Sequence, residues 1–248
     1  MLLDSTRTVR EFAIEIPNAT RVFEKMKIDY CCGGNQPLNE ACLQAGLDVE
    51  EVVQLLSQAE QNELTDVGSE ANTLQSLALA KLSDYIVNKH HVFTRTELER
   101  LTALLEKVCS VHGSNHPELL KIQSEFQTLR AELEPHMLKE ERILFPYITR
   151  LETAVCENGP APFAPFGTVR NPITAMMREH DAAGEILKTI RQLSGNFALP
   201  EDACFSYRTL YSALEELEAD LHQHIHLENN ILFPRAMEIE NQIEPAMV

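Results

Sequence analysis

The sequence predicts an all-α protein in which a small N-terminal helical domain precedes an up-down four-helix bundle. Glycine is scarce, at 9 of 248 residues. Long runs rich in Leu, Glu, Ala and Gln place apolar residues every three or four positions, as in helices that bury one face. The alternation of apolar and polar residues that marks a strand is hard to find, so we expect almost no β-structure.

A polar segment divides the chain into two predicted domains. Residues 1–62 form a small helical domain, and residues 72–248 form the bundle. Residues 61–71 are polar and contain Gly68, so they form the expected linker. The hydrophobic content of 44% is sufficient to bury a core in a chain of this length.

Net charge and cysteine usage limit the classes of partner and compartment. The formal net charge of −17 repels phosphate backbones and anionic lipid, so we expect neither a nucleic-acid nor a membrane partner. The chain shows no apolar leader and no run approaching the ~20 apolar residues that span a bilayer. Its six cysteines do not form a disulfide framework, so we expect a cytoplasmic protein with reduced thiols.

One phrase occurs twice in the bundle region. Residues 136–146 and 224–234 both read H-x-x-x-E-x-x-I-L-F-P. Positions i and i+4 of an α-helix share a face, so each copy directs one imidazole and one carboxylate to the same point. Such mixed nitrogen and oxygen donors suit iron or manganese.

Four predicted helices carry these pairs and two further histidines on their inner faces. The first covers residues 74–111, and the second covers 118–151, where Pro135 should bend the helix or remove one hydrogen bond. The third begins at Asn171 and Pro172, an N-cap and a first-turn proline, and the fourth follows Pro200. The inner-face candidates are His91, His136, Glu140, His180, His224 and Glu228.

The spacing of the histidines indicates an internal repeat. His91 precedes His136 by 45 residues, and His180 precedes His224 by 44, so the helices form two pairs of nearly equal length. An up-down bundle then brings all six candidates to one level of the core. On the second helix we expect the same inner face to continue to Ile143.

Four imidazoles and two carboxylates indicate a pair of metal ions. Each ion would take about two histidines, and the glutamates would bridge the ions. Iron fits this donor set best, manganese is less favoured, and structural zinc usually takes four ligands that often include Cys. The same groups buried without metal would cost several kcal/mol for each unpaired charge.

Other polar residues near the candidates have less defined roles. His112 lies on the same face as His91 but roughly 30 Å further along the helix, so we exclude it from the site. Glu141 and Glu179 adjoin ligand candidates and either orient them or lie in solvent. The remaining histidines, expected at the surface or next to the ligands, are His90, His116, His222 and His226.

A loop in the N-terminal domain carries two adjacent thiols. Residues 29–37 include Cys31, Cys32, two glycines and a proline in one turn, where backbone N–H groups can approach a ligand or lower a thiol pKa. The pair can deliver iron or sulfide, form a mixed disulfide with a client, hold a metal between two chains, or be structural. We expect the other cysteines to be structural: Cys42, Cys109, Cys156 and Cys204.

The bundle residues resemble the hemerythrin-like di-iron proteins. The Cys-Cys-Gly-Gly loop ahead of them is similar to that of the repair-of-iron-centres (RIC or ScdA) family, and the resemblance covers nearly the whole chain. It implies a hemerythrin-like bundle holding two non-haem iron ions, oxo- and carboxylate-bridged, with the six candidates as ligands and Glu140 and Glu228 as bridges. It also implies repair of iron–sulfur clusters damaged by nitric oxide or peroxide, with damaged iron–sulfur proteins as partners.

The third helix departs from the oxygen-carrying hemerythrins, which have a second histidine ligand four residues after the first. Here that position is Gly184, which leaves one iron open to a small molecule or less tightly held. We therefore favour a labile di-iron site that donates iron over a turnover enzyme. The alternatives are reduction of nitric oxide or peroxide at this site, and a sensor that binds nitric oxide or oxygen.

The N-terminal domain is too small to hold a sizeable core of its own. We therefore expect it to dock onto its own bundle or onto a second chain, which would make the protein a homodimer.

Overall fold

The computed structural model of the chain describes residues 4–16, 18–61 and 74–243. Within these ranges the secondary structure is helical, apart from one isolated bridge between Thr8 and Pro37, and no strand forms there. The all-α prediction is confirmed. No helix in the described ranges has the length and apolar character needed to cross a membrane. Almost all of the predicted linker lies outside the described residues.

The α-helices are short in the N-terminal region and long in the bundle. In chain order they are α1 (Val9–Glu15), α2 (Ala19–Met26), α3 (Leu38–Ala45), α4 (Val49–Gln61), α5 (Leu79–Ile86), α6 (Val92–His112), α7 (Glu118–Lys139), α8 (Phe145–Cys156), α9 (Arg170–Leu193), α10 (Phe205–His226) and α11 (Phe233–Gln242). Helix α7 continues through Pro135 without a break.

The chain divides into two compact units. The bundle unit consists of Asp84–Arg150 and Pro162–Leu221. The terminal unit consists of Met1–Ser83, Leu151–Ala161 and His222–Val248, so it combines both ends of the sequence. Each unit is described below by its own residues.

Four antiparallel helices supply the core of the bundle unit. His91, just before α6, is hydrogen bonded to Glu141, just after α7, so these two helices run in opposite directions. The predicted inner faces are buried, and this confirms the up-down bundle. The core residues include Leu98, Leu101, Leu105, Val108, Ile122, Phe126, Leu129, Leu133, Leu187, Ile190, Leu210, Leu214, Leu217 and Leu221.

Three π-helical turns interrupt the long helices. They cover Val87–His91, Glu140–Leu144 and Leu227–Leu232. In the last two, the N–H of the following phenylalanine donates to the carbonyl of the glutamate five residues earlier, from Phe145 to Glu140 and from Phe233 to Glu228. The next residue in each copy is a proline, which has no N–H and crowds the carbonyl four residues back, so a wider turn relieves that clash.

The π-helical turn changes which residues face inward. Ile143, predicted on the inner face, is 50% exposed, whereas Leu144 is 1% exposed. The prediction for Ile143 is wrong because one extra residue in the turn rotates the following residues by about one position. Beyond the turn, Tyr147 and Ile148 are buried.

In the terminal unit, helices α1 to α4 enclose a small core that includes Phe12, Phe23, Leu38 and Leu56.

Several hydrogen bonds join the N-terminal region to the end of α10 and to the π-helical turn Leu227–Leu232 of the same chain. Arg10 donates to the Asn230 carbonyl at 3.0 Å, and the Asn230 amide donates to the Tyr30 carbonyl at 2.9 Å. The Tyr30 hydroxyl donates to Glu24 at 2.9 Å and accepts from Gln223 at 2.8 Å. The N-terminal helices are therefore docked within their own chain.

Replacing Asn230 tests this docking. Asn230→Ala leaves the buried Tyr30 carbonyl without its amide donor, so the free energy of unfolding should fall by about 1–3 kcal/mol. Urea denaturation measures the loss, and hydrogen exchange in α1 should become faster. The control is Asn241→Ala, at an exposed position of α11, which should leave both unchanged. Equal effects of the two variants would contradict the docking role.

Candidate metal centre

Glu140 lies between three other predicted ligands of the bundle unit, His91, His136 and His180. Its side chain is 0% exposed. Its Oε2 atom is 3.4 Å from His91 Nε2, and its Oε1 atom is 3.2 Å from His136 Nε2 and 4.0 Å from His180 Nε2. Because its two oxygens face different histidines, this carboxylate has the arrangement of a bridging ligand.

Two of these histidines lie against each other. The Nε2 atoms of His136 and His180 are 3.1 Å apart, and both side chains are buried. His136, Glu140 and His180 each offer a ligand atom, and these atoms lie within 4.8 Å of one another. Their separation is small enough for one cation to contact all three.

Two of the histidines around Glu140 are hydrogen bonded through their Nδ1 atoms to carboxylates that face away from Glu140. The Nδ1 atom of His91 lies 2.7 Å from Glu141 Oε1, which also pairs with Arg95 at 2.9 Å. A metal-binding histidine commonly donates its other ring N–H to a carboxylate, and this fixes the tautomer that leaves Nε2 free of a proton. Glu141 therefore orients His91 toward Glu140.

Glu179 holds His136 in the same way. His136 Nδ1 lies 2.7 Å from Glu179 Oε2, and the Lys139 ammonium donates to the other oxygen of Glu179. Partial burial raises the pKa of Glu179, but the hydrogen bonds from Lys139 and His136 outweigh burial and keep the pKa below its ordinary value. Glu179 is thus an anionic acceptor for the imidazole N–H.

The second copy of the phrase lies in the terminal unit. His224 Nε2 is 3.0 Å from Glu228 Oε1, and both side chains are buried. This pair has the i, i+4 geometry that the sequence predicts. Like Glu140, Glu228 belongs to a π-helical turn, whereas His180 lies in regular helix α9. Turns of this type occur frequently at functional sites.

The buried donors fit a metal ion, and iron in particular. The residues around Glu140, which are His91, His136 and His180, offer imidazole nitrogens beside its carboxylate oxygens and no thiolate. Imidazole and carboxylate are the donor types of non-haem iron sites. A buried carboxylate is costly unless a positive charge lies nearby, and a bound metal ion would supply that charge.

The cysteine loop has a different character from the prediction. The Asp29 carboxylate accepts the backbone N–H groups of Cys31 at 3.2 Å and Cys32 at 2.9 Å. The Cys31 and Cys32 sulfur atoms lie 3.9 Å apart. The hydrogen bond with Cys32, burial and the Asp29 charge raise the pKa of the Cys31 thiol well above its ordinary value. The expectation of a lowered thiol pKa is therefore wrong for Cys31.

This loop lies against the turn that carries Glu228. The Asn229 amide donates to the Cys31 carbonyl at 3.2 Å, next to the bond from Asn230 to Tyr30. A Cβ atom at Gly34 would lie 2.9 Å from the Tyr30 carbonyl oxygen and 3.4 Å from Asn230 Oδ1, so a side chain there would disturb the contact. The roles of Asn229 and Asn230 were not predicted from the sequence.

The remaining histidines have separate environments. His90 is buried and pairs with Asp220 at 3.0 Å, and His222 pairs with Glu24 at 2.8 Å. His226 is buried against the Tyr30 ring, and burial lowers its pKa to about 4. Of the two alternatives expected for these histidines, the surface position does not hold for His90 and His226, since both are buried.

The remaining cysteines differ in burial. Cys42 is buried, as expected for a structural cysteine, and Cys109 is half-buried. Cys156 and Cys204 are exposed, so the expectation that they pack in the core is wrong for these two.

Comparison with known families matches both parts of the chain. Residues 5–60 match the family described as "Domain of Unknown function (DUF542)", ScdA_N, and residues 82–236 match "Hemerythrin HHE cation binding domain".

Full-length relatives carry names that refer to cluster repair. The "Probable iron-sulfur cluster repair protein" of Haemophilus influenzae is 36% identical over 92% of this chain and 95% of its own length. The "Iron-sulfur cluster repair protein YtfE" of Edwardsiella ictaluri is 36% identical over 93% of this chain and 96% of its own. The protein of the same name from Yersinia pseudotuberculosis is 36% identical over 91% of this chain and 94% of its own length.

The orienting role of Glu179 can be tested by iron affinity. Glu179→Gln removes the anionic acceptor of His136, so competition with a chelator should show iron affinity lower by about 10–100-fold. Glu185→Gln, an exposed position on the same helix, is the matched control and should bind iron like the unmodified protein. Unchanged affinity in Glu179→Gln, or equal losses in both variants, would contradict the role.

Proposed function

This chain belongs to the hemerythrin HHE cation-binding family and to the iron–sulfur cluster repair proteins of the RIC or ScdA type, and from this membership we propose that it repairs damaged clusters by donating iron. Damaged iron–sulfur proteins would be its clients, with the cytoplasm as the place of action. The observation that carries the proposal is the buried Glu140 carboxylate, whose oxygens face His91 on one side and His136 on the other.

The proposed site contains two iron ions held by all six sequence-predicted ligands. His91, His136, Glu140 and His180 would act together with the pair His224 and Glu228, and both glutamates would bridge. In support, both glutamates are fully buried, and each follows a histidine by four residues. Bound iron would supply the positive charge that the carboxylates need, Lewis acidity and one-electron redox chemistry.

The proposed division of labour follows the predicted domains, with residues 1–62 assisting transfer and residues 72–248 storing the iron. The two separate family matches, at 5–60 and 82–236, support a division of this kind. The N-terminal region is hydrogen bonded to the π-helical turn Leu227–Leu232 of its own chain, so its packing does not require the homodimer that its small core had suggested.

An iron donor differs from an oxygen carrier in that its iron must be released easily. With six protein ligands for two ions, and Gly184 at the position that a further histidine would occupy, each ion keeps positions that a client ligand can enter. The same open positions would admit nitric oxide or oxygen as small ligands. Glu141 and Glu179 keep the imidazoles oriented while an ion is exchanged.

Iron transfer to a client tests the proposed function. The protein loaded with isotopically labelled iron is mixed with a nitric-oxide-inactivated iron–sulfur dehydratase and a sulfide source. We expect client activity to return and the label to appear in the client cluster. Glu140→Gln, which removes the bridging charge, should retain less iron and restore less activity, whereas the exposed control Glu185→Gln should match the unmodified protein.

The same mixture distinguishes donation from turnover. Nitrous oxide is measured while the reduced protein is exposed to nitric oxide without oxygen. Restored activity without transfer of the label would overturn the donor proposal, and steady release of nitrous oxide in that case would support a nitric oxide reductase.

The cysteines are proposed to capture iron on its way to the client. Because the Cys31 thiol is kept protonated, iron capture must release a proton from it. Cys31→Ser and Cys32→Ser should therefore slow transfer of the label several-fold and leave the iron content unchanged. Cys156→Ser, an exposed thiol elsewhere, is the matched control. Transfer at the unmodified rate in both loop variants would remove the cysteines from the proposal.

A further inference from the structure

A second group of metal-binding side chains lies at the other end of α6. His112 is the last residue of that helix, and His116 is in the turn that follows it. Asp202 and Cys204 lie in the segment just before α10. One ligand atom from each of His112, His116 and Asp202 lies within 4.8 Å of the others.

The donor atoms face each other across the two turns. His116 Nε2 is 3.0 Å from Asp202 Oδ1 and 3.2 Å from Oδ2. His112 Nε2 is 3.1 Å from Cys204 Sγ. The ring of Tyr207 packs edge-on against both imidazoles, with centroids 5.3 Å and 5.6 Å away, so the rings have defined positions.

The backbone places both imidazoles on one face. The His116 N–H donates to the His112 carbonyl at 2.9 Å, which extends the i to i+4 pattern of the helix beyond its last residue. The sequence H-x-x-x-H therefore acts as a helical ligand pair, although the second histidine is in a turn.

A further carboxylate orients His116. Glu118 Oε1 lies 3.1 Å from His116 Nδ1, while Nε2 faces Asp202. This is the arrangement of a metal-binding histidine, in which the nitrogen that does not bind the ion donates its proton to a carboxylate. Glu118 would therefore orient one of the potential ligands without binding the ion itself.

We propose that His112, His116 and Asp202 form a second metal site, distinct from the His/Glu centre, that takes a divalent ion of the zinc class, with Cys204 beside His112 as the fourth donor that moves in when the ion binds. Two imidazoles, one carboxylate and one thiolate are four ligands of the types that tetrahedral zinc accepts. Donor atoms on such an ion, with bonds of about 2.0–2.3 Å, lie about 3.3–3.8 Å apart. The 3.0 Å between His116 Nε2 and Asp202 Oδ1 is close to that range, and the atoms of His112, His116 and Asp202 lie within 4.8 Å of one another. Cys204 Sγ lies 3.1 Å from His112 Nε2 but outside this group, so it must shift toward the ion to bind it.

The thiolate separates this site chemically from the iron ligands. A thiol donor favours zinc and similar ions, whereas the His91 cluster offers only nitrogen and oxygen. The distance also separates them, since His91 and His112 are 21 residues apart in sequence, which is roughly 30 Å along a helix. One ion cannot contact both groups.

Metal titration of the full chain tests the site. The iron-loaded protein, without a polyhistidine tag, is titrated with zinc alone, and bound zinc and retained iron are both measured. We expect one zinc per chain with the iron retained, and a rise in melting temperature because the ion joins two turns of the bundle. Cobalt in place of zinc should give a thiolate-to-cobalt charge-transfer band that Cys204→Ser removes.

Two exposed positions provide the matched pair of variants. Asp202→Asn should weaken zinc binding at least tenfold and abolish the rise in melting temperature, whereas the adjacent Glu201→Gln removes the same charge and should change neither. Both positions are exposed, so folding is preserved in each. Displacement of iron without extra zinc, or equal binding by both variants, would overturn the second site and leave the proposed repair function untouched.

Discussion

The buried charge of Glu140 is the constraint on which the rest of the bundle unit depends. A carboxylate with no exposed surface costs several kcal/mol unless a positive charge balances it. The three histidines around it point Nε2 atoms at its oxygens, and two of them direct the Nδ1 proton outward to Glu141 and Glu179. Negative charge therefore lies on both sides of the imidazoles. A bound cation at the centre is the charge that makes this arrangement favourable, so metal binding and folding are linked.

The placement of this carboxylate depends on a local departure from α-helical geometry. Proline follows Glu140 and Glu228 by six residues, at Pro146 and Pro234. The turn between each glutamate and its proline widens so that the glutamate carbonyl accepts from the phenylalanine before the proline. The sequence predicts the helix, its inner face and the pairing of His136 with Glu140. The sequence does not predict the wider turn, because the prediction used the α-helical period of 3.6 residues for the whole helix. With that period Ile143 falls on the inner face, whereas in the structure it is exposed.

The two copies of the phrase differ where the N-terminal helices dock. After the glutamate, the first copy continues with Glu141 and Arg142, whereas the second continues with Asn229 and Asn230. Both asparagines are buried and donate to the carbonyls of the cysteine loop. The replacement of two charged residues in the first copy by two uncharged asparagines in the second is the sequence feature that could have indicated this interface. Periodicity did not reveal it, because the bonded residues are about 200 positions apart, and only the folded chain brings them together.

Helix periodicity also failed to reveal the contacts at the C-terminal end of α6. Sequence reasoning excluded His112 because it compared positions along one helix, and that conclusion holds for the His91 cluster. The contacts of His112 come instead from a turn between two other helices, where Cys204 and Asp202 lie. Divalent affinities rise toward copper and zinc for almost any donor set, so a protein that holds labile iron gains from a separate site with a thiolate. Zinc bound there would be withdrawn from competition for the nitrogen and oxygen donors around Glu140.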